Sequence, residues 1–288
     1  MKNYLLIILL ALLSNIAYSD AYFDSQLELA EQGDAFSQWL LGWKYQYGKG
    51  VPENDKTAVM WYTKAAEQGK ASAQYALGLM YQYGEGVLEN DKAAVMWYTK
   101  AAEQGKASAQ SNLGFMYENG RGVPENDKIA VMWYTKAAEQ GEAIAQSNLA
   151  WMYQYGKGVP ENDKTAVMWY SKAAEQGNAD AQSNLGFMYG IGEGVQQDDK
   201  TAVMWCIKAA EQGDAGAQTN LGFMYASGQG VPENDVKAYV WSSMGKANGN
   251  ETAKENIDIY RKRMTKEQIA KAQEIAAKCY ESDYKDCD

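Results

Sequence analysis

Lys70 to Gly105 reads KASAQYALGLMYQYGEGVLENDKAAVMWYTKAAEQG, and this stretch recurs along the chain with few changes. Its most regular feature is a tryptophan at every 36th position: Trp61, Trp97, Trp133, Trp169, Trp205 and Trp241. A repeat of this length is typical of solenoids, in which each repeat is one supersecondary element stacked on its neighbours. The sequence therefore predicts six tandem repeats over residues 34–249 of a 288-residue chain.

Each repeat contains two predicted helices. In the quoted stretch, Ala73, Leu77 and Tyr81 follow the spacing of one helical face. Gly84 is expected to end this first helix in a left-handed conformation. Asp91 is expected to cap the second helix, because a carboxylate accepts hydrogen bonds from the free N–H groups of a first turn. The predicted fold class is all-α, built from helix-turn-helix repeats.

A glycine lies inside the first helix of five repeats, where glycine costs about 1 kcal/mol relative to alanine. These residues are Gly42, Gly78, Gly114, Gly186 and Gly222. The fourth repeat has Ala150 instead, so the position needs a small side chain rather than an unusual backbone angle. We expect the second helix of each repeat to approach its first helix closely at this point.

The repeat has the pattern Ala-x-Ala-Gln-x-x-Leu-Gly-x-Met-Tyr, then Gly-x-Gly-Val, then Asp-Lys-x-Ala-Val-x-Trp-Tyr-x-Lys-Ala-Ala-Glu-Gln-Gly. It resembles the Sel-one-like repeat, a relative of the tetratricopeptide repeat, over residues 34–249. The tail around Thr265 and Gln268 resembles the closing helices of bacterial members. The resemblance implies a right-handed α/α superhelical solenoid that binds partner proteins, often in cell-envelope or host-contact settings. Residues 20–33 are then an N-terminal capping helix, and residues 250–288 are C-terminal capping helices and a tail.

One face of the first helices is the predicted binding surface. At 100° per residue, this face lies opposite the predicted core residues, and in a stacked array it lines the concave wall. It presents four amides and five aromatic rings: Asn112, Asn148, Asn184, Asn220, Trp43, Phe115, Trp151, Phe187 and Phe223. Amides pair with the backbone of an extended peptide, and aromatic rings supply contact area. Two structural alternatives stay open: the rings pack between neighbouring first helices, or the asparagines form an internal hydrogen-bond network.

The N-terminus predicts a signal peptide over residues 1–19. Lys2 precedes an apolar run from Tyr4 to Leu13, and the small residues Ala17 and Ser19 precede a cleavage point near Asp20. The run is short for a membrane span. We therefore expect a periplasmic or secreted chain with no stable membrane insertion after cleavage.

The three cysteines have different expected roles. Cys206 takes the place of a tyrosine found in other repeats, which predicts a buried side chain. Cys279 and Cys287 lie close together in the tail, and an oxidising compartment favours a disulfide between them. The alternative is two unpaired thiols.

The amino-acid composition excludes several kinds of catalytic site and metal site. The chain has no histidine, which excludes Ser-His-Asp and Cys-His nucleophile activation and imidazole metal sites. Its net charge of −10 disfavours nucleic-acid binding. Ser243 and Lys246 match the Ser-x-x-Lys spacing of penicillin-reactive enzymes, but no Lys-Thr-Gly partner follows. We expect no cofactor and no metal.

The sequence therefore predicts a non-enzymatic, monomeric scaffold that binds a protein or peptide through its concave face. Two alternatives stay open. One is an enzyme of cell-wall or β-lactam chemistry, related to cysteine-rich members of the family; the other is a purely structural spacer.

Overall fold

The computed structural model describes residues 23–287, and in that range it contains helices and no strands. The helices are α1 (23–31), α2 (Ala35–Gln46), α3 (Asp55–Glu67), α4 (Ala71–Tyr83), α5 (Asp91–Glu103), α6 (Ala107–Glu118), α7 (Asp127–Glu139), α8 (Ala143–Gln154), α9 (Asp163–Glu175), α10 (Ala179–Ile191), α11 (Asp199–Ala210), α12 (Ala215–Ser227), α13 (Asp235–Ala247), α14 (Thr252–Arg261) and α15 (Lys266–Glu281). The all-α prediction is confirmed.

Helices α2 to α13 form six helix-turn-helix repeats, numbered one to six along the chain, as expected for a solenoid. The first helix of each repeat is even-numbered and the second is odd-numbered. Within repeats 1, 2, 4, 5 and 6 the two helices pack together, as α4 does on α5. Helices α3, α5, α9 and α11 also pack on the first helix of the next repeat, as α3 does on α4. The chain divides between Ala137 and Ala138 into two compact units, here called the N-terminal and C-terminal halves.

Helix ends follow the sequence with one correction. Gly84 adopts the left-handed conformation at the end of α4, with φ of 71°, which confirms that prediction. The expected cap of α5 was wrong by one residue: Asn90, not Asp91, is the N-cap, and its side-chain oxygen accepts from the Ala93 N–H at 3.1 Å. Asn90 has the extended backbone that a cap requires, whereas Asp91 is already helical.

The core of repeats 1 to 5 contains a buried alanine pair of the second helix, and the repeats also bury large aromatic rings. Ala101 and Ala102 are both buried, and Trp133 keeps only 9% of its surface exposed. Trp61, Trp97 and Trp241 are buried as well, whereas Trp169 and Trp205 are half-buried. In five repeats a lysine three residues later lies over the indole ring, as Lys64 does with Nζ 4.2 Å from the Trp61 ring centre. These lysines cover the solvent side of the ring.

Three of the helical glycines, Gly42, Gly78 and Gly114, lie where a tyrosine ring packs against the first helix. A Cβ added to Gly42 would lie 2.5 Å from Cδ1 of Tyr62, and one added to Gly114 would lie 2.7 Å from Cδ1 of Tyr134. The close approach expected from the sequence is therefore present, and the partner is the tyrosine of the second helix. In repeat 5 that tyrosine is replaced by Cys206, which is fully buried as expected.

The C-terminal helices pack on the last repeat. Both α14 and α15 contact α13, and Thr265 and Gln268 form the expected capping box of α15. Cys279 and Cys287 are joined by a disulfide, with their Cα atoms 4.5 Å apart.

The predicted signal peptide, residues 1–19, lies outside the described residues. Among the helices of residues 23–287, none combines the length and the apolar character needed to span a bilayer.

Candidate functional site

The predicted binding surface, called here the asparagine–aromatic face, is built from first helices. In α6, α8, α10 and α12 an asparagine is followed three residues later by an aromatic ring, a spacing that places both on one side of a helix. The four asparagines, Asn112, Asn148, Asn184 and Asn220, are half-buried. The five rings keep between 36% and 52% of their surface exposed: Trp43, Phe115, Trp151, Phe187 and Phe223. A ring with that much free surface is available to a ligand.

In the C-terminal half, members of the face meet in two pockets. The first pocket has a volume of 310 Å³ and is lined by Asn148, Trp151 and Asn184. Two carboxylates, Asp180 and Asp214, also line it. Asp214 caps α12 and accepts a hydrogen bond from the Ser183 hydroxyl at 2.8 Å, which fixes its carboxylate at the pocket wall. The pocket therefore combines a flat ring, two amides and negative charge.

The second pocket lies one repeat further along and is more apolar. It has a volume of 240 Å³ and is lined by Phe187, Asn220 and Phe223, with Cys206 at its buried side. Burial raises the pKa of the Cys206 thiol to about 12, so the thiol stays neutral at physiological pH. It is therefore part of an apolar wall and not a nucleophile.

In the N-terminal half, the asparagine–aromatic face consists of Trp43, Asn112 and Phe115. Trp43 lies in α2 beside Tyr47, with ring centres 5.6 Å apart. Asn112 lies near the hydroxyl of Tyr98: burial raises the pKa of Tyr98, and a side-chain hydrogen bond with Asn112 acts in the opposite direction. Amide and phenol are thus neighbours on this face.

A second set of amides, not predicted from the sequence, forms a buried hydrogen-bond network in the repeats. In each first helix a glutamine donates from Nε2 to a carbonyl at the end of the preceding helix, as Gln74 does to Ala66 at 3.1 Å. In four of these glutamines Oε1 accepts from a second glutamine, as Gln74 does from Gln104 at 2.7 Å, and in Gln218 it accepts from Asn248 at 2.9 Å. The glutamines of this network in the first helices are all buried: Gln38, Gln74, Gln110, Gln146, Gln182 and Gln218. The signal was present in the sequence, because Ala-x-Ala-Gln and Glu-Gln-Gly recur at fixed positions.

A second missed feature is the bond between the repeat tyrosine and the first helix. The Tyr62 hydroxyl donates to Gln46 Oε1 at 2.9 Å, Tyr98 donates to Gln82 at 2.6 Å, and Tyr170 donates to Gln154 at 3.1 Å. Burial raises the pKa of all three phenols. One of these tyrosines, Tyr170, also lines the first pocket beside Asn148 and Trp151.

The Ser-x-x-Lys candidate has an ordinary helical environment. Ser243 lies in α13 and donates its hydroxyl to the Tyr239 carbonyl at 2.7 Å, four residues earlier. Ser243 and Lys246 line one surface pocket of 390 Å³ together with Lys254 and Arg261. Within residues 23–287, His, Cys, Asp and Glu side chains form no group of three or more that could hold a metal ion.

A family model described as the Sel1 repeat matches six consecutive ranges: residues 35–70, 71–106, 107–142, 143–178, 179–214 and 215–250. These ranges cover most of the chain. The chain belongs to the Sel1 repeat family. The resemblance predicted from the sequence is thus confirmed.

The fold of one solved relative supports this assignment, and further solved structures show weaker similarity. A Sel1 repeat protein from Oxalobacter formigenes is 38% identical, with a TM-score of 0.69, over 74% of this chain and 86% of its own. A protective antigen of uropathogenic Escherichia coli strains is 28% identical, with a TM-score of 0.49, over 93% of this chain and 80% of its own. An immunity protein from Pseudomonas aeruginosa is 25% identical, with a TM-score of 0.44, over 64% of this chain and 68% of its own. No curated protein matches the chain. Sel1 repeat proteins typically act in protein–protein interaction, so the Sel1 scaffold of this chain is the basis for its function.

Proposed function

We propose that this Sel1 repeat protein is a scaffold that binds an extended segment of a partner protein through the asparagine–aromatic face. The observation that carries the proposal is the first pocket, where Asn148, Trp151 and Asn184 line one cavity of 310 Å³. Primary amides offer both a donor and an acceptor, which an exposed peptide backbone needs. A partly exposed indole ring adds apolar contact at low entropic cost.

The negative charge of the first pocket restricts the kind of partner segment that it can bind. Asp180 and Asp214 line the same cavity as the two asparagines, and the whole chain carries a net charge of −10. A partner segment with a lysine or arginine next to apolar side chains complements this surface, and its encounter is favoured at low ionic strength.

We further propose that the scaffold acts in the periplasm or outside the cell, as a monomer and without catalysis. The leader-like residues 1–19 support export, and the Cys279–Cys287 disulfide is compatible with an oxidising compartment. Cell fractionation of the full chain, with the mature N-terminus determined by mass spectrometry, tests this location. Finding the chain in the cytoplasm with residues 1–19 attached contradicts it.

The test of binding is a crosslinking capture from native envelope with the double variant Asn148→Ala/Asn184→Ala. We expect the captured partner to be reduced at least tenfold, because both amides of the first pocket are lost. The matched control is Gln196→Ala, which removes an exposed loop amide of the same half and should leave capture unchanged. Equal capture by wild type and the Asn148/Asn184 variant contradicts the proposal and favours a spacer.

A further inference from the structure

The second pocket lies where repeat 5 lacks two side chains that are present in repeat 1. In repeat 1, Tyr62 donates to Gln46, and Gln46 donates to Glu85 at 3.3 Å. The residues at these three positions in repeat 5 and the following loop are Cys206, Gly190 and Gln229. All three line the second pocket. Repeat 5 has therefore lost a phenol ring and an amide side chain together, and the pocket occupies the place of both.

The space left by these substitutions is open. A Cβ built on Gly190 meets nothing closer than 3.7 Å, so a side chain at this position has room beside Ala202 and Met224. Phe187, Ile191 and Phe223, each at least 45% exposed, form the outer wall of the pocket. The second pocket is thus accessible from the same surface as the asparagine–aromatic face.

Repeat 6 has lost the same pair but is filled by another part of the chain. Ser242 and Ala226 replace the tyrosine and the glutamine there. Tyr260 of α14 is buried, and the Arg263 guanidinium, 5.5 Å from the centre of its ring, donates to the Ala226 carbonyl. A tyrosine from outside the repeat therefore packs where the repeat has none.

The hydrogen bonds around the missing tyrosine and glutamine are equivalent in repeats 5 and 6. In repeat 6, the Arg263 guanidinium donates to the Ala226 carbonyl and pairs with Asp235. In repeat 5, Gln229 Nε2 donates to the Gly190 carbonyl at 3.4 Å and to Asp199 at 2.9 Å. Ala226 and Asp235 lie one repeat after Gly190 and Asp199. In both repeats one side chain therefore binds the equivalent backbone carbonyl and the equivalent carboxylate. Of these two repeats, only repeat 6 also receives a tyrosine from α14.

The size and chemistry of the second pocket fit one aromatic side chain. Its volume of 240 Å³ exceeds the roughly 150 Å³ of an apolar cavity that binds benzene, and it is below the roughly 300 Å³ at which pockets for whole small ligands begin. The Gln229 hydrogen bonds described above use its amide nitrogen, so its carbonyl oxygen is the acceptor at hand for a phenol hydroxyl.

We propose that the second pocket receives a tyrosine side chain of the bound partner, which takes the place that Tyr62 fills in repeat 1 and Tyr260 fills in repeat 6. The inference rests on the proposed peptide-binding function and names the anchor residue of that peptide. Asn220, at the rim of the same pocket, pairs with the peptide backbone on either side of the tyrosine.

The experiment uses N-acetyl-tyrosinamide as the probe and the methyl-¹³C signal of Met224, a lining residue, as the readout on the full chain. We expect a saturable shift in wild type at millimolar probe, and a weaker one with N-acetyl-leucinamide. The variant Gly190→Gln/Cys206→Tyr restores the pair of repeat 1 and should abolish the shift. If this double variant does not fold, Gly190→Gln alone serves, because its side chain enters the open space of the pocket.

The outcomes separate this inference from the proposed function. Asn148→Ala/Asn184→Ala should retain the probe shift at Met224 while it loses the captured partner. Absence of a saturable shift in wild type, or an equal shift after Gly190→Gln, overturns the tyrosine pocket. A partner that is lost with Asn148→Ala/Asn184→Ala but retained at full level with Gly190→Gln also overturns it, and leaves the proposed function intact.

Discussion

Gln182 shows how one side chain joins two repeats. It is buried, it donates to the Ala174 carbonyl at 3.0 Å, and it accepts from Gln212 at 2.7 Å. Gln182→Leu keeps the volume but removes both hydrogen bonds, each worth about 0.5–1.5 kcal/mol, so the free energy of unfolding should fall by about 1–3 kcal/mol. Guanidinium unfolding measures this, with exposed Gln196→Ala as the control. A loss no larger than that of the control contradicts the structural role of the glutamine network.

Glu193, the loop residue before Gly194, is a position where a substitution should raise the free energy of unfolding. Arg121 binds the Asp91 carboxylate through two hydrogen bonds of 3.0 and 2.8 Å. Two repeats later the corresponding residues are Glu193 and Asp163, and Oδ1 of Asp163 is buried without a hydrogen-bond partner. Glu193→Arg should raise the free energy of unfolding by about 0.5–1 kcal/mol at low salt. Arg121→Glu should lower it, and the same sign for both variants in urea unfolding contradicts the pairing.

At the scale of the helix, most helix boundaries could be predicted from the sequence, because most local sequence signals are compatible with only one backbone conformation. A glycine after an apolar helical run ends that helix, as Gly84 does for α4. The cap of α5 was misplaced because Asn90 and Asp91 are both good caps, and only the backbone conformation decides between them. The asparagine–aromatic face was predictable from helical periodicity, but the second pocket was not. The second pocket depends on Gly190 and Cys206, which lie on different helices of repeat 5 and line one cavity only after these helices pack.

The disulfide gives a prediction for α15 alone. Cys279 and Cys287 close a short loop, with a sequence separation of 8, and both are buried. In the loop-entropy model such a crosslink contributes about 2–3 kcal/mol. With Cys279→Ser/Cys287→Ser we expect amide hydrogens at the end of α15 to exchange faster, while protection in α8 to α12 is unchanged, because each repeat is stabilised mainly by its neighbours. Uniform loss of protection over these helices contradicts a local role.

At the scale of the whole molecule, the buried tyrosines make stability depend on alkaline pH. Tyr62, Tyr98 and Tyr170 are buried, donate hydrogen bonds to glutamines, and have pKa values raised from the ordinary value of 10.0 by burial. Above pH 10 the unfolded chain releases these protons while the folded chain keeps them, so the free energy of unfolding falls as pH rises. The loss should reach up to about 1.4 kcal/mol per tyrosine at pH 11. Guanidinium unfolding at pH 8 and pH 11 measures it, and Tyr62→Phe/Tyr98→Phe/Tyr170→Phe should show a smaller difference between the two pH values. An equal pH dependence in that variant would mean that other groups cause the alkaline loss.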